Sequence, residues 1–138
     1  MHDEVRKAEI LALLRRDFNT ATAKAQSTLI KNTFGSLYTG VLDILQRHDP
    51  IGVGLIALDE YSPETDTIVL RLHEAKSVAS LRRIIWEEFV WWFSNSGDWE
   101  QKLADNDAGP EENYTEIARE IWDLWAEPRL LEREEPRG

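Results

Sequence analysis

The chain has 138 residues, of which 42% are hydrophobic; that is enough for one compact domain with its own core, not a disordered or disulfide-stapled mini-protein. It contains no cysteine, which excludes disulfides, thiol nucleophiles and cysteine-ligated zinc and fits a reducing compartment. The net charge of −10 is uneven: residues 1–58 hold seven basic and six acidic residues, whereas residues 98–138 hold five and thirteen, a field that repels nucleic-acid phosphates and favours a basic partner.

The amino terminus, Met1-His2-Asp3-Glu4, is acidic, and no apolar run approaches the length of a signal or membrane-spanning helix. The expectation is a soluble, cytoplasmic protein with no membrane partner. Asn113-Tyr114-Thr115 matches a glycosylation acceptor, but without a secretory signal it is read as accidental.

In chain order, Val5, Ala8, Leu11, Ala12, Leu14 and Phe18 recur at helical spacing, and Ala21, Ala25 and Leu29 extend the stripe. Residues 1–35 are therefore expected to be one long helix, or two joined near Asn19-Thr20, with Gly35 as the stop and Ser36 as the next cap. Tyr38, Val41, Leu42 and Leu45 predict a short amphipathic helix ended by Asp49-Pro50. An ordered loop follows over 49–61: Pro50 fixes its own φ and restricts Asp49, while Gly52 and Gly54 admit backbone angles closed to other residues.

Ser62-Pro63-Glu64 reads as a cap, a proline in the first turn and an early acid, opening a helix with Ile68, Val69 and Leu72. The β-branched run leaves minor strand content at 67–72 as the alternative. Ser77 is expected to cap a central helix with Leu81, Ile84, Ile85, Phe89, Trp92 and Phe93 on one face, ended by Ser94-Asn95-Ser96-Gly97. Trp99 and Leu103 are expected to dock a short segment before a second polar break, Asp105 to Pro110. Tyr114, Ile117, Ala118, Ile121, Trp122 and Trp125 define a last helix closed by Pro128, with 129–138 as a charged, frayed tail. The fold class is all-α: one helical bundle of five to six helices over 1–128, with 36–126 as its motif-bearing core.

Asp49-Pro50-Ile51-Gly52 after a short helix, followed by Asp59-Glu60-Tyr61 and a helix near Pro63, resembles a widespread group of small bacterial proteins of unassigned function that share these two elements. The resemblance covers roughly residues 36–94. It implies amphipathic helices at Leu37–His48 and Pro63–Glu74, and it implies a fold without a reaction.

The acids Asp59, Glu60, Glu64 and Asp66 could offer oxygens to a hard cation, but they lack the alternating acids, central glycine and terminal glutamate of an EF-hand loop. The structural reading is helix capping by Asp59 or Ser62, with Tyr61 hydrogen-bonded to the glycine loop. His2, His48 and His73 lack the paired spacing of a zinc site, and His48 suits a helix end. Gly52-Val53-Gly54 is too short for a phosphate-binding fingerprint. Glu87 and Glu88 are adjacent on a helix and should point apart, so no general acid and base pair emerges. No metal and no cofactor are expected.

Six tryptophans remain, with Trp86, Trp91, Trp92 and Trp99 around one helix and its exit. With that helix's main face already filled, Trp91 and Trp86 need a second surface, either the amino-terminal helix or another protein. The reading is a non-enzymatic acidic protein-binding module, most concretely a bacterial toxin-neutralising immunity-type protein. Its binding residues would be Trp91, Trp99, Asp98, Glu100, Asp105 and Asp107, its partner a protein with a basic surface. Homodimerisation through the N-terminal helix is a second partner reading. The alternative function is small-molecule or metal binding by the 49–64 loop, with Asp49, Pro50, Gly52, Gly54, Asp59, Glu60 and Tyr61.

Overall fold

The computed structural model describes residue 9 and residues 21–52, 61–94 and 97–134, with side chains as far as residue 126. Among these residues there are six α-helices: α1 (Ala21–Phe34), α2 (Ser36–His48), α3 (Ser62–Arg71), α4 (Val78–Trp92), α5 (Trp99–Ala104) and α6 (Thr115–Glu134). Short 3-10 turns at Leu72–Glu74 and Glu111–Tyr114 lead out of α3 and into α6. The all-α bundle expected from the periodicity is what forms. The strand alternative at 67–72 is not realised, because these residues continue α3 and its 3-10 exit; the one β-bridge among the described residues joins Ser94 and Asn106.

The hydrophobic faces read from the sequence meet each other. Leu81, Ile85 and Phe89 of α4 are buried with Ile117, Ala118 and Ile121 of α6 and with Tyr38, Val41 and Leu45 of α2. Phe89 is the aromatic hub, with ring centroids 5.1 Å from Tyr114, 5.7 Å from Phe93 and 5.8 Å from Tyr61, an arrangement that adds to simple area burial. Where α2 crosses α6, a β-carbon on Gly40 would stand 2.7 Å from Leu124 Cδ1, so this mid-helix glycine lets the two helices approach. At one end of the same pair, Arg47 and His48 both reach Glu120, at 2.7 and 2.5 Å, and these hydrogen bonds hold the Glu120 carboxyl below its ordinary range.

The tryptophan-bearing α4 is central as expected, packed against α3, α5, α6 and the turn before α6, while α3 is the most continuously buried helix. Seven consecutive residues, Glu64 to Leu70, are buried, with α1, α2 and α4 packed around them. Four of the seven are polar, and three of these, Thr65, Asp66 and Thr67, make hydrogen bonds that periodicity does not reveal. Tyr38 donates to Asp66 Oδ1 at 2.7 Å, Trp92 Nε1 donates to Thr67 Oγ1 at 3.1 Å, and Thr65 donates to the Tyr61 carbonyl at 2.8 Å.

Several local expectations are corrected. Ser36 and Ser62 are first helical residues, not caps; the cap positions are Gly35 and Tyr61, neither with a side-chain cap bond. Ser77 does cap α4, in a reciprocal box with Ser80. The stripe Ala21, Ala25, Leu29 is exposed, and α1 docks by the opposite face through Ala23 and Ile30, because its seat on α2 and α3 is set by their geometry. Leu103 does not dock, being 38% exposed. α6 runs through Pro128 to Glu134, so the charged tail does not begin at 129; the proline removes one amide donor, whereas the docked turns before it have already set the helix. Residues 1–8 and 10–20, where the stripe from Val5 to Phe18 and the Asn19-Thr20 junction fall, lie outside the described residues.

Candidate functional site

Asp98 accepts from Gln101 N, and Gln101 Oε1 accepts from Asp98 N, both at 2.9 Å, so a capping box starts the six-residue α5. Gly97, at φ +140°, is required here because a β-carbon would overlap the Gln101 side chain. Beyond α5, Asn106 donates to the carbonyls of Lys102 and Leu103 at 2.8 and 3.1 Å and accepts from Ala108 N at 3.0 Å. The same stretch is tied to the bundle three times. Asp107 N donates to Phe93 O at 2.8 Å, Trp86 Nε1 to Gly109 O at 2.8 Å, and the buried Tyr114 hydroxyl to Ala108 O at 2.6 Å.

These bonds hold a face whose charges have one sign. Asp98, Glu100, Asp105 and Asp107 are exposed, while Lys102, the sole cation between them in sequence, is only 8% exposed. Its ammonium lies 4.4 Å from the centroid of the Trp91 ring and donates to Ser94 Oγ at 3.2 Å. The fold therefore withdraws the one positive charge and leaves the acids outward. The half-buried Trp99 and the exposed part of Leu103 add apolar surface beside them.

The predicted binding residues thus gather on α5 and its flanks, with two revisions. Trp91 is half-buried and already covered by Lys102, and Asp98 is engaged as a helix cap. Among the described residues, Trp86 and Trp91 are met by the segment from Lys102 to Gly109, with the Arg83 guanidinium 4.7 Å from the Trp86 ring. The signal for this, an isolated lysine among acids ten residues past the Trp91-Trp92 pair, carries no direction in sequence.

The 49–61 loop is a clasp as far as it is described. Asp49 ends α2 in the left-handed region (φ 47°, ψ 57°), a conformation aspartate tolerates, and Gly52 follows at φ +85°. The Tyr61 hydroxyl donates to Asp49 Oδ1 at 2.6 Å and accepts from Ile51 N at 3.2 Å, tying the start of the loop to the start of α3. Gly54, Asp59 and Glu60 lie outside the described residues. Glu64 and Asp66 are buried in α3, so these two acids are not offered to a surface ligand. Among the described residues, no three His, Cys, Asp or Glu side chains gather to hold a metal ion.

Glu87 and Glu88 leave α4 in different directions, yet the Arg71 fork reaches both, Nη2 to Glu87 at 3.0 Å and Nη1 to Glu88 at 2.8 Å, with Glu74 also at 3.0 Å. Burial alone would lower the Arg71 pKa, but the hydrogen bonds and charge of Glu74 and Glu88 hold it above its ordinary value. Adjacent helix positions are about 100° apart, and a bidentate guanidinium spans that angle.

No helix among the described residues is long and apolar enough to cross a membrane. Compared with protein-family models, curated proteins and solved structures, the chain has no match.

Proposed function

We propose that this chain is a non-enzymatic protein-binding module that presents the acidic α5 face to a basic protein, most concretely as a cytoplasmic bacterial immunity-type protein that neutralises a toxin. The inward-turned Lys102 carries this reading: burying the one cation under Trp91 leaves Glu100, Asp105 and Asp107 as a uniform field over a backbone held by caps. Such a field raises encounter rates with a cationic partner, while Trp99 and Leu103 provide apolar contact beside it. The field is unsuited to nucleic acid. The resemblance of Asp49-Pro50-Ile51-Gly52 and Asp59-Glu60-Tyr61 to small bacterial proteins is compatible with this role. A second copy of the chain, meeting the exposed Ala21, Ala25 and Leu29 of the N-terminal segment, is a subsidiary partner.

Ligand or metal binding by the 49–64 loop has less support, since the Tyr61 hydroxyl already engages Asp49 and Ile51 and since Glu64 and Asp66 face the interior.

The test is association with the product of an adjoining toxin-like reading frame. Exposed charges are screened beyond about 8 Å at physiological ionic strength, so added salt should slow the on-rate and leave the off-rate nearly unchanged. Glu100→Gln with Asp107→Asn should do the same at low salt. A complex indifferent to salt and to both substitutions removes this face from the function.

A further inference from the structure

We propose that the chain associates with itself head to tail, the outer face of α1 on one copy seating on the acidic α5 face of the next, so that self-association and a basic partner compete for one surface. The proposal rests on the reading of α5 as a binding face and names a partner for it. It starts from a helix face that the bundle leaves open. Because α1 docks on α2 and α3 through Ala23 and Ile30, Ala21, Ala25 and Leu29 point outward, Leu29 at 51% exposure. Residues 21–34 hold no acid, and both of their cations, Lys24 and Lys31, are exposed, with the Lys31 ammonium 5.8 Å from the Tyr38 ring centroid. The two lysines are two turns apart, about 10 Å along the helix, close to the length of the six-residue α5.

The α5 face complements α1 in both apolar surface and charge. Leu103, 38% exposed beside the half-buried Trp99, is its apolar part, and Glu100 and Asp107 are exposed acids, with Lys102 turned inward over Trp91. Among the described residues the exposed large hydrophobic side chains are Leu29, Leu103 and Leu124; the first lies between lysines and the second between acids. Two α1 faces set against each other would bring lysine to lysine, and two α5 faces acid to acid, so a two-fold contact through either face repels itself. Pairing the unlike faces removes both repulsions. α1 packs on α2 and α3 and α5 packs on α4, so one copy can offer α1 to one neighbour and α5 to another. Such a contact closes into a ring or runs on as a chain. A patch this small binds weakly, which makes association depend on concentration.

Sedimentation of the full chain from micromolar to millimolar concentration tests this at physiological ionic strength, where repulsion between two acidic chains is screened beyond about 8 Å. The wild type should gain mass with concentration. Glu100→Lys with Asp107→Lys should weaken association by roughly tenfold or more, although it makes the chain less negative and would strengthen an association limited by overall repulsion. Lys24→Glu with Lys31→Glu should weaken it as well. An equimolar mixture of the two reversed proteins should regain wild-type association, since each then offers the charges the other lacks. A mixture that stays monomeric overturns the proposal, as does a wild type monomeric throughout the range, which would leave the α1 face to a different macromolecule. Should either reversed protein lose its helical circular dichroism, Leu29→Gln and Leu103→Gln decide instead: each should weaken wild-type association, and no change in either overturns the contact. Failure here leaves the basic-partner reading standing, because that reading is tested by an on-rate with another protein; failure of the basic partner leaves the mass of the wild type unchanged.

Discussion

Asp66 and Glu88 are both carboxylates buried in the same bundle, yet the fold accommodates them by opposite means. Glu88, fully buried on α4, is met by the Arg71 guanidinium at 2.8 Å, which also collects Glu87 and Glu74. Asp66, on α3 five residues before that arginine, is met by the Tyr38 hydroxyl at 2.7 Å. The guanidinium meets its acids with charge-assisted hydrogen bonds, whereas burial with a neutral donor raises the Asp66 carboxyl above its ordinary range and makes proton uptake part of the fold. One end of α3 is thus an electrostatic staple, and the other a site where pH acts.

The largest break in that comparison is Arg71→Met. It leaves Glu88 buried without its cation, and removal of one partner of a buried pair costs on the order of 3–5 kcal/mol. Urea denaturation should show that loss in the wild-type background and much less of it when Glu88→Leu is added. An Arg71→Met protein as stable as the wild type would mean that solvent reaches Glu88.

Tyr38→Phe should cost less, about 1–3 kcal/mol, because it removes one neutral donor and leaves a buried acceptor without it. The loss should be smaller at acid pH, where Asp66 is protonated; a uniform loss across pH would assign the effect to packing.

The smallest effect, and of opposite sign, belongs to Asp66→Asn. An amide still accepts from the Tyr38 hydroxyl and carries no charge, so at neutral pH this protein should match or exceed the wild type in melting temperature. Because the Asp66 pKa is raised in the folded state, the wild type regains ground as pH falls below the ordinary carboxylate range. A variant less stable than the wild type at neutral pH, with the gap closing in acid, would mean that the ionised form is the one the site holds.

Much of the bundle was legible before folding. The faces of α2, α4 and α6, the Ser77 cap, the clasp from Tyr61 to the 49–52 turn and the acidic bias of residues 98–107 all follow from residue spacing and local chemistry. They were legible because a helix that buries one face repeats it every three or four residues, and because caps and turns are made by neighbours. The candidate site was half legible: its acids could be listed, but not the direction of Lys102.

α3 marks the limit. Its polar run Glu64-Thr65-Asp66-Thr67 carries no amphipathic signal for a helix so continuously buried. What makes that run burial-competent lies far along the chain, in Tyr38 and Trp92, as Glu88 depends on Arg71. Helical period and charge balance alone determined that this protein is an acidic all-α bundle. Which acids face water, which are neutralised by hydroxyls or by a guanidinium, and which lysine turns inward were decided by tertiary structure, because desolvating a charge costs several kcal/mol unless partners from other elements arrive at hydrogen-bond distance.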